Sequence, residues 1–179
     1  DMYLDTGDAA DGIDQIKNRG VDLAIAAKPD DLSSSIHFQS IATVPLGIAA
    51  PKINCVVKKA LQADSVDWAN VPIILPEHGV ARKRFEQWFR HKHAGRPNVY
   101  AQVSGQEALV SMVALGFGIG LSPIVVADNS PVKDLVELLP DTKIAPFDLG
   151  LCCFKRNLED PVVSAFLSMV PQSDGLTLN

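Results

Sequence analysis

The residues best placed to do chemistry are Ser104, Gly105 and Gln106, in the run Gln102-Val103-Ser104-Gly105-Gln106-Glu107. Ser104 and Glu107 spell S-x-x-E, a capping box. In that motif the serine hydroxyl accepts from the third helical N–H, and the glutamate reaches back to the cap's own N–H. The remaining NH groups, around Gly105 and Gln106, then face outward from a helix end that carries roughly half a positive charge. Such an end receives a small anion. The same pattern also describes an ordinary βαβ unit whose capped end faces water.

The other candidates fail on spacing. A nucleophile elbow needs glycines two residues before and after its serine, and Gln102 and Gln106 occupy those places around Ser104. Gly116-x-Gly118-x-Gly120 follows a helix, whereas a dinucleotide fingerprint sits between a strand and the start of a helix. His37, His78, His91 and His93 form no metal set; His91-x-His93 has a spacing used in metal sites but lacks a carboxylate nearby. Cys55, Cys152 and Cys153 give an odd count with no C-x-x-C and no zinc-finger spacing. What remains is recognition: NH groups, hydroxyls and a few basic groups. No enzyme activity, metal or cofactor is expected.

Composition agrees. The 179 residues suffice for one medium domain or two small lobes, and 47% hydrophobic with 21% charged residues is ordinary for a globular protein. A net charge of −5 argues against nucleic-acid binding by this chain alone. The unpatterned cysteines fit a reducing cytoplasm, and no apolar run approaches the ~20 residues of a membrane span. The chain opens at Asp1 without Met, inside what reads as a strand end (Met2, Tyr3, Leu4), so a piece of a longer protein is expected.

The elements that must position these residues alternate between strand and helix. Thr6-Gly7-Asp8 reads as a turn and cap, residues 9–19 as an amphipathic helix stopped by Gly20, and residues 21–27 as a buried strand of the kind found in parallel sheets. Strands follow at 36–44, 46–50 and 71–75, with a helical turn in 56–68. Residues 80–93 form the clearest amphipathic helix, with Phe85, Trp88 and Phe89 at core spacing. Six of the sixteen Lys and Arg cluster in residues 82–96, and the spacing favours a solvated helix face over a nucleic-acid or acidic-partner face. The central unit, 98–127, reads as strand 98–103, a sharp turn, an apolar helix, a glycine turn at 116–120, a second strand and then a proline stop. A strand at 144–154 and a helix with Asp160 as cap and Pro161 in its first turn complete the order, before a polar tail from Pro171 that is expected to fray.

Two blocks carry a resemblance. V-D-L-A-I-A-A-K at 21–28 and A-L-V-S-M-V-A-L-G-F-G-I-G-L-S-P at 108–123 resemble the signatures of the LysR-type transcriptional regulators, within their effector-binding domain. G-D-A-A-D at 7–11, D-W-A-N-V-P at 67–72 and R-K-R-F-E-Q-W-F-R at 82–90 look like the branch that activates acetohydroxy acid isomeroreductase in branched-chain (isoleucine/valine) amino acid synthesis. The resemblance implies an α/β, periplasmic-binding-protein type II-like fold, with two α/β lobes joined by two crossing strands. Lobe one would hold 1–48 and 150–179 and lobe two 49–149, with hinges near Ala49-Ala50-Pro51 and Leu149-Gly150. The first strand and helix of lobe one, and the family's N-terminal helix-turn-helix, would precede Asp1, so operator DNA would be reached only through that absent domain.

The resemblance further implies a small carboxylate effector, acetolactate or acetohydroxybutyrate, and a homodimer or homotetramer without membrane contact. On its mapping the effector-binding residues are Thr6, Lys28, His78, Gly79, Ser104, Gly105 and Gln106, with Ala27 and Glu77 beside them. Lys28 would supply charge or be a solvated loop lysine, and Ser104 would contact ligand or be used up in capping. A transporter's solute-binding protein with the same two-lobed fold is the alternative.

Overall fold

The computed structural model describes residues 2–92, 95–140, 142–170 and 177. The described residues divide into two compact units: those up to Val44 together with 147–170 and 177, and those within Pro45–Pro146. Within this division, Ala49-Ala50-Pro51 and Leu149-Gly150 lie inside hydrogen-bonded strands.

The first unit is built on a three-stranded antiparallel sheet, β1 (Ala24–Ala27), β8 (Phe147–Phe154) and β2 (Ile36–Val44), in the order β1-β8-β2. β8 runs nearly continuously apolar because both its faces are covered. Cys152 points to helix α1 (Gly12–Lys17), packing with Ile13, Ile16, Ala26 and Ile36. Leu151 and Cys153 point the other way, to Val163 and Leu167 of α6 (Pro161–Met169). Asp160 caps α6 as its spacing predicted, its Oδ1 accepting from Val162 N at 2.8 Å and Val163 N at 3.3 Å. The Gln39 amide donates to the Leu167 and Val170 carbonyls at 3.1 and 2.8 Å, closing the far end of that helix.

Three expectations in this unit need correction. Residues 2–4 form no strand; Met2, Tyr3 and Leu4 are exposed and unpaired. The strand expected over 21–27 is shorter and antiparallel, pairing Ala24–Ala27 with Cys152–Leu149. Periodicity reports burial, not strand direction, and Ile25 is 55% exposed. Helix α1 also starts three residues late. Asp8 ties up the entry, its Oδ1 accepting from Ala10 N at 2.8 Å. At the other end Arg19, not Gly20, takes the left-handed turn at φ 57, while Gly20 N donates to Gln15 O at 2.9 Å.

In the second unit β3 (Leu46–Pro51) pairs antiparallel with β6 (Gly120–Pro123) and β7 (Val136–Leu138), while β4 (Pro72–Pro76) and β5 (Asn98–Val103) pair in parallel. A parallel bridge, Ile74 N to Ile119 O at 2.8 Å and Ile119 N to Pro72 O at 2.9 Å, joins the two sets into the run β5-β4-β6-β3-β7. Helix α2 (Val56–Leu61) is capped by the Cys55 sulfur, which accepts from Lys58 N at 3.4 Å. α3 (Gly79–Lys92) buries Phe85, Trp88 and Phe89, and α4 (Gln106–Ala114) packs Leu109, Val110 and Val113 on Ala49, Ile74 and Val136. Gly116, at φ +82, ends α4. The second strand of the central unit stops at Pro123, and α5 (Ile124–Asn129) follows. Proline closes the β3–β6 ladder at Leu46↔Pro123, and Ile124 N turns to the Pro45 carbonyl at 3.0 Å.

Candidate functional site

Two helix starts lie side by side in the second unit. β4 and β5 are parallel neighbours, so the turns leaving their carboxyl ends are adjacent. This places His78-Gly79 beside Ser104-Gly105-Gln106. The ladder runs one step past its last registered pair, Pro76↔Val103, through Glu77 N donating to Val103 O at 2.9 Å. Each turn contains a left-handed glycine, Gly79 at φ +84 and Gly105 at φ +88. His78 and Ser104 are exposed, and Gly79, Gly105 and Gln106 are half-buried.

The capping box does not form. Gly105 is the N-cap, at φ +88 and ψ 134, and no side chain caps the helix. Its position puts Ser104 one residue outside the helix and Glu107 one residue too early to reach back. Glu107 instead accepts from the Ser130 hydroxyl at 3.2 Å. The start of α4 therefore keeps its backbone donors, and the Gln106 Oε1 is shielded from solvent without a hydrogen-bond partner among the described residues.

Arg82 organises these turns, and the sequence does not single it out from Lys83 and Arg84. Its Nη1 donates to the carbonyls of Pro76 and Glu77, both at 3.3 Å, and to the Gln102 Oε1 at 2.9 Å; its Nε donates to Glu86 at 2.9 Å. One member of the basic cluster is thereby spent on internal structure.

Thr6 and Lys28 belong to the first unit. Thr6 is exposed, its N–H donating to Asp5 Oδ1 at 2.9 Å. Lys28 follows β1; its N–H donates to Asp148 O at 2.8 Å and its ammonium lies 5.6 Å from the Phe38 ring centroid. Ala27 is buried beside it, with its N–H on the Ala9 carbonyl at 2.9 Å. The structure thus gathers His78, Gly79, Ser104, Gly105 and Gln106 on one edge of one sheet and leaves Thr6 and Lys28 on the other unit.

The arrangement offers donors and amides for recognition. Burial pushes the Cys152 thiol up to about 11, helped by neighbouring Cys153 and opposed by its bond to Ala24 O, and burial raises Cys153 as well, so neither is an activated nucleophile. Among the described residues no group of three His, Cys, Asp or Glu is placed to hold a metal, and no helix is long and apolar enough to cross a membrane. His93 of the His91-x-His93 pair and the tail at 171–176 lie outside the described residues.

Comparison with known proteins fits this architecture. The chain is 43% identical over 171 residues to the HTH-type transcriptional activator IlvY of Haemophilus influenzae, covering 95% of this chain and 59% of that protein. It is 40% identical over 175 residues to the HTH-type transcriptional regulator IlvY of Escherichia coli, covering 96% and 59%. It therefore spans about three-fifths of the length of these relatives. In fold it resembles the effector-binding domain of QuiR in complex with shikimate, at TM-score 0.67 and 21% identity, over 88% of this chain and 74% of that one. The fold is α/β and periplasmic-binding-protein type II-like. With the LysR substrate binding domain model matching residues 1–174, the chain belongs to that family of LysR effector-binding domains.

Proposed function

We propose that this chain is the effector-sensing part of a DNA-binding regulator of isoleucine and valine biosynthesis, and that its effector is acetolactate or acetohydroxybutyrate. The 43% and 40% identity to two proteins named IlvY, across nearly the whole chain, carries this reading. Both names describe transcriptional regulators, which favours a regulator over a transporter's solute-binding protein. The effector would be bound and released unchanged. DNA would be contacted by a helix-turn-helix elsewhere in the full-length protein, as the relatives' names suggest, and the assembly would be a homodimer or homotetramer in the cytoplasm.

Each proposed effector presents a carboxylate, a hydroxyl and a ketone. The carboxylate suits the uncapped amides of Gly105 and Gln106, where a helix start favours negative charge. The Gln106 oxygen has no donor to give up, so accepting from a ligand hydroxyl would recover about 1–3 kcal/mol of unsatisfied burial. Ser104, released from capping, and His78-Gly79 on the adjacent turn would complete this wall. An effector with different affinities for two conformations would shift their populations and hence the response on DNA.

Titration calorimetry of acetolactate into the full-length protein tests the reading. Saturable binding is expected, with unchanged acetolactate recovered afterward and a changed affinity or footprint on operator DNA. No heat and no thermal shift at millimolar acetolactate would overturn the effector assignment. Failure to bind operator DNA under any condition would overturn the regulator assignment.

A further inference from the structure

We propose that Arg82 is the positioning residue that keeps the turns 77–79 and 104–106 in register, and that effector affinity depends on it through this geometry and not through its charge. The inference rests on the effector reading above. Both turns pivot on a left-handed glycine, the residue that constrains backbone least. A side chain at Gly105 would meet nothing within 4 Å, so no packing holds that turn from its open side.

Arg82 supplies what the turns lack. A single nitrogen, Nη1, shares its two hydrogens among the Pro76 and Glu77 carbonyls at the end of β4 and the Gln102 amide at the end of β5. Glu86, one helical turn on, fixes the guanidinium plane through Nε. The side chain is 26% exposed. All three Nη1 acceptors are uncharged, so the fork shape matters more than the positive charge. A lysine ammonium is a compact point donor and cannot span both strands while holding Glu86.

The test uses the full-length protein and the variants Arg82→Lys, Arg82→Met, Gln102→Ala and the double Arg82→Met/Gln102→Ala. Losing these hydrogen bonds is expected to weaken acetolactate binding roughly tenfold in each single variant, with the double no weaker than Arg82→Met. Wild-type affinity in Arg82→Lys, or additive losses in the double, would overturn the proposal. Gln102 is exposed, so its alanine variant reads the same link with little risk to folding. Hydrogen exchange without ligand separates this proposal from the effector reading. Amides at 77–80 and 105–108 should exchange faster in Arg82→Met and Gln102→Ala while the sheet amides stay unchanged. Unchanged exchange at the turns overturns the role of Arg82. Absence of acetolactate binding by the wild type, with faster turn exchange in the variants, overturns the effector assignment alone.

Discussion

Replacing Gly105 with alanine isolates backbone strain from steric collision. The residue sits at φ +88 and ψ 134, a region that L side chains essentially avoid, and occupying it costs about 1–3 kcal/mol. A Cβ built there meets no atom within 4 Å, so overpacking adds nothing. The whole effect should come from the local conformation. Asparagine is a sharper control, because it tolerates the left-handed helical region, where ψ is near +47°. At ψ 134 it gains no relief and should cost as much as alanine. Equilibrium urea unfolding should show each variant about 2 kcal/mol less stable than wild type, with an unchanged m-value. In a chain of this size that corresponds to a midpoint roughly 4–8 °C lower on heating. An alanine variant within about 0.5 kcal/mol of wild type, the spread of an ordinary surface substitution, would refute the argument that this turn requires glycine. Recovery by asparagine would show that the backbone lies in the left-handed helical well instead.

The same logic reverses at Arg19, whose φ of 57 already charges a non-glycine residue for a left-handed turn. Arg19→Gly should stabilise the chain by about 0.5–1 kcal/mol in urea unfolding. Gly150→Ala should be severe, because the new Cβ collides with the Gln39 carbonyl and the Phe38 ring at the centre of β8; a loss of about 3 kcal/mol or failure to accumulate folded protein is expected. Cys152 gives a pH dependence. The unfolded thiol releases its proton near 9.0 and the native one near 11, so between those values the native state binds more protons. Stability is therefore complete below pH 9 and falls as pH rises toward 11. Cys152→Ala should flatten that decline in unfolding curves taken from pH 8 to 11, and an identical decline in the variant would count against the assignment.

What could be read from the amino acids was what local chemistry decides. Asp160-Pro161 announces its helix because cap and first turn are adjacent in sequence. Phe85, Trp88 and Phe89 share a face at any α3 boundary. Strand partners are another matter: Ala24–Ala27 pairs with residues more than 120 positions away, and an apolar run carries no mark of direction. The second strand of the central unit stops at a proline, as expected: Pro123 ends the ladder, and the chain folds back as helix from Ile124. The helix start at Gly105-Gln106 was legible in the amino acids. It was misread at Ser104, where S-x-x-E matched a motif that a one-residue offset at Gly105 dissolves. Arg82 was hidden because its importance depends on Gln102, which reaches it across two parallel strands.

The ordering of β8 between β1 and β2 has a consequence for how the chain emerges from the ribosome. Among the described residues, both earlier strands find their strand partner in β8. About a hundred residues separate the end of β2 from the start of β8, and at ~5–20 residues per second that segment takes roughly 5–20 s to synthesise. The second unit draws all its strands from that segment and can assemble while it is being made. Nascent β1 and β2 must wait through the interval with their ladder hydrogen bonds to β8 unmade, which makes the newborn β1–β2 segment the natural client for a chaperone.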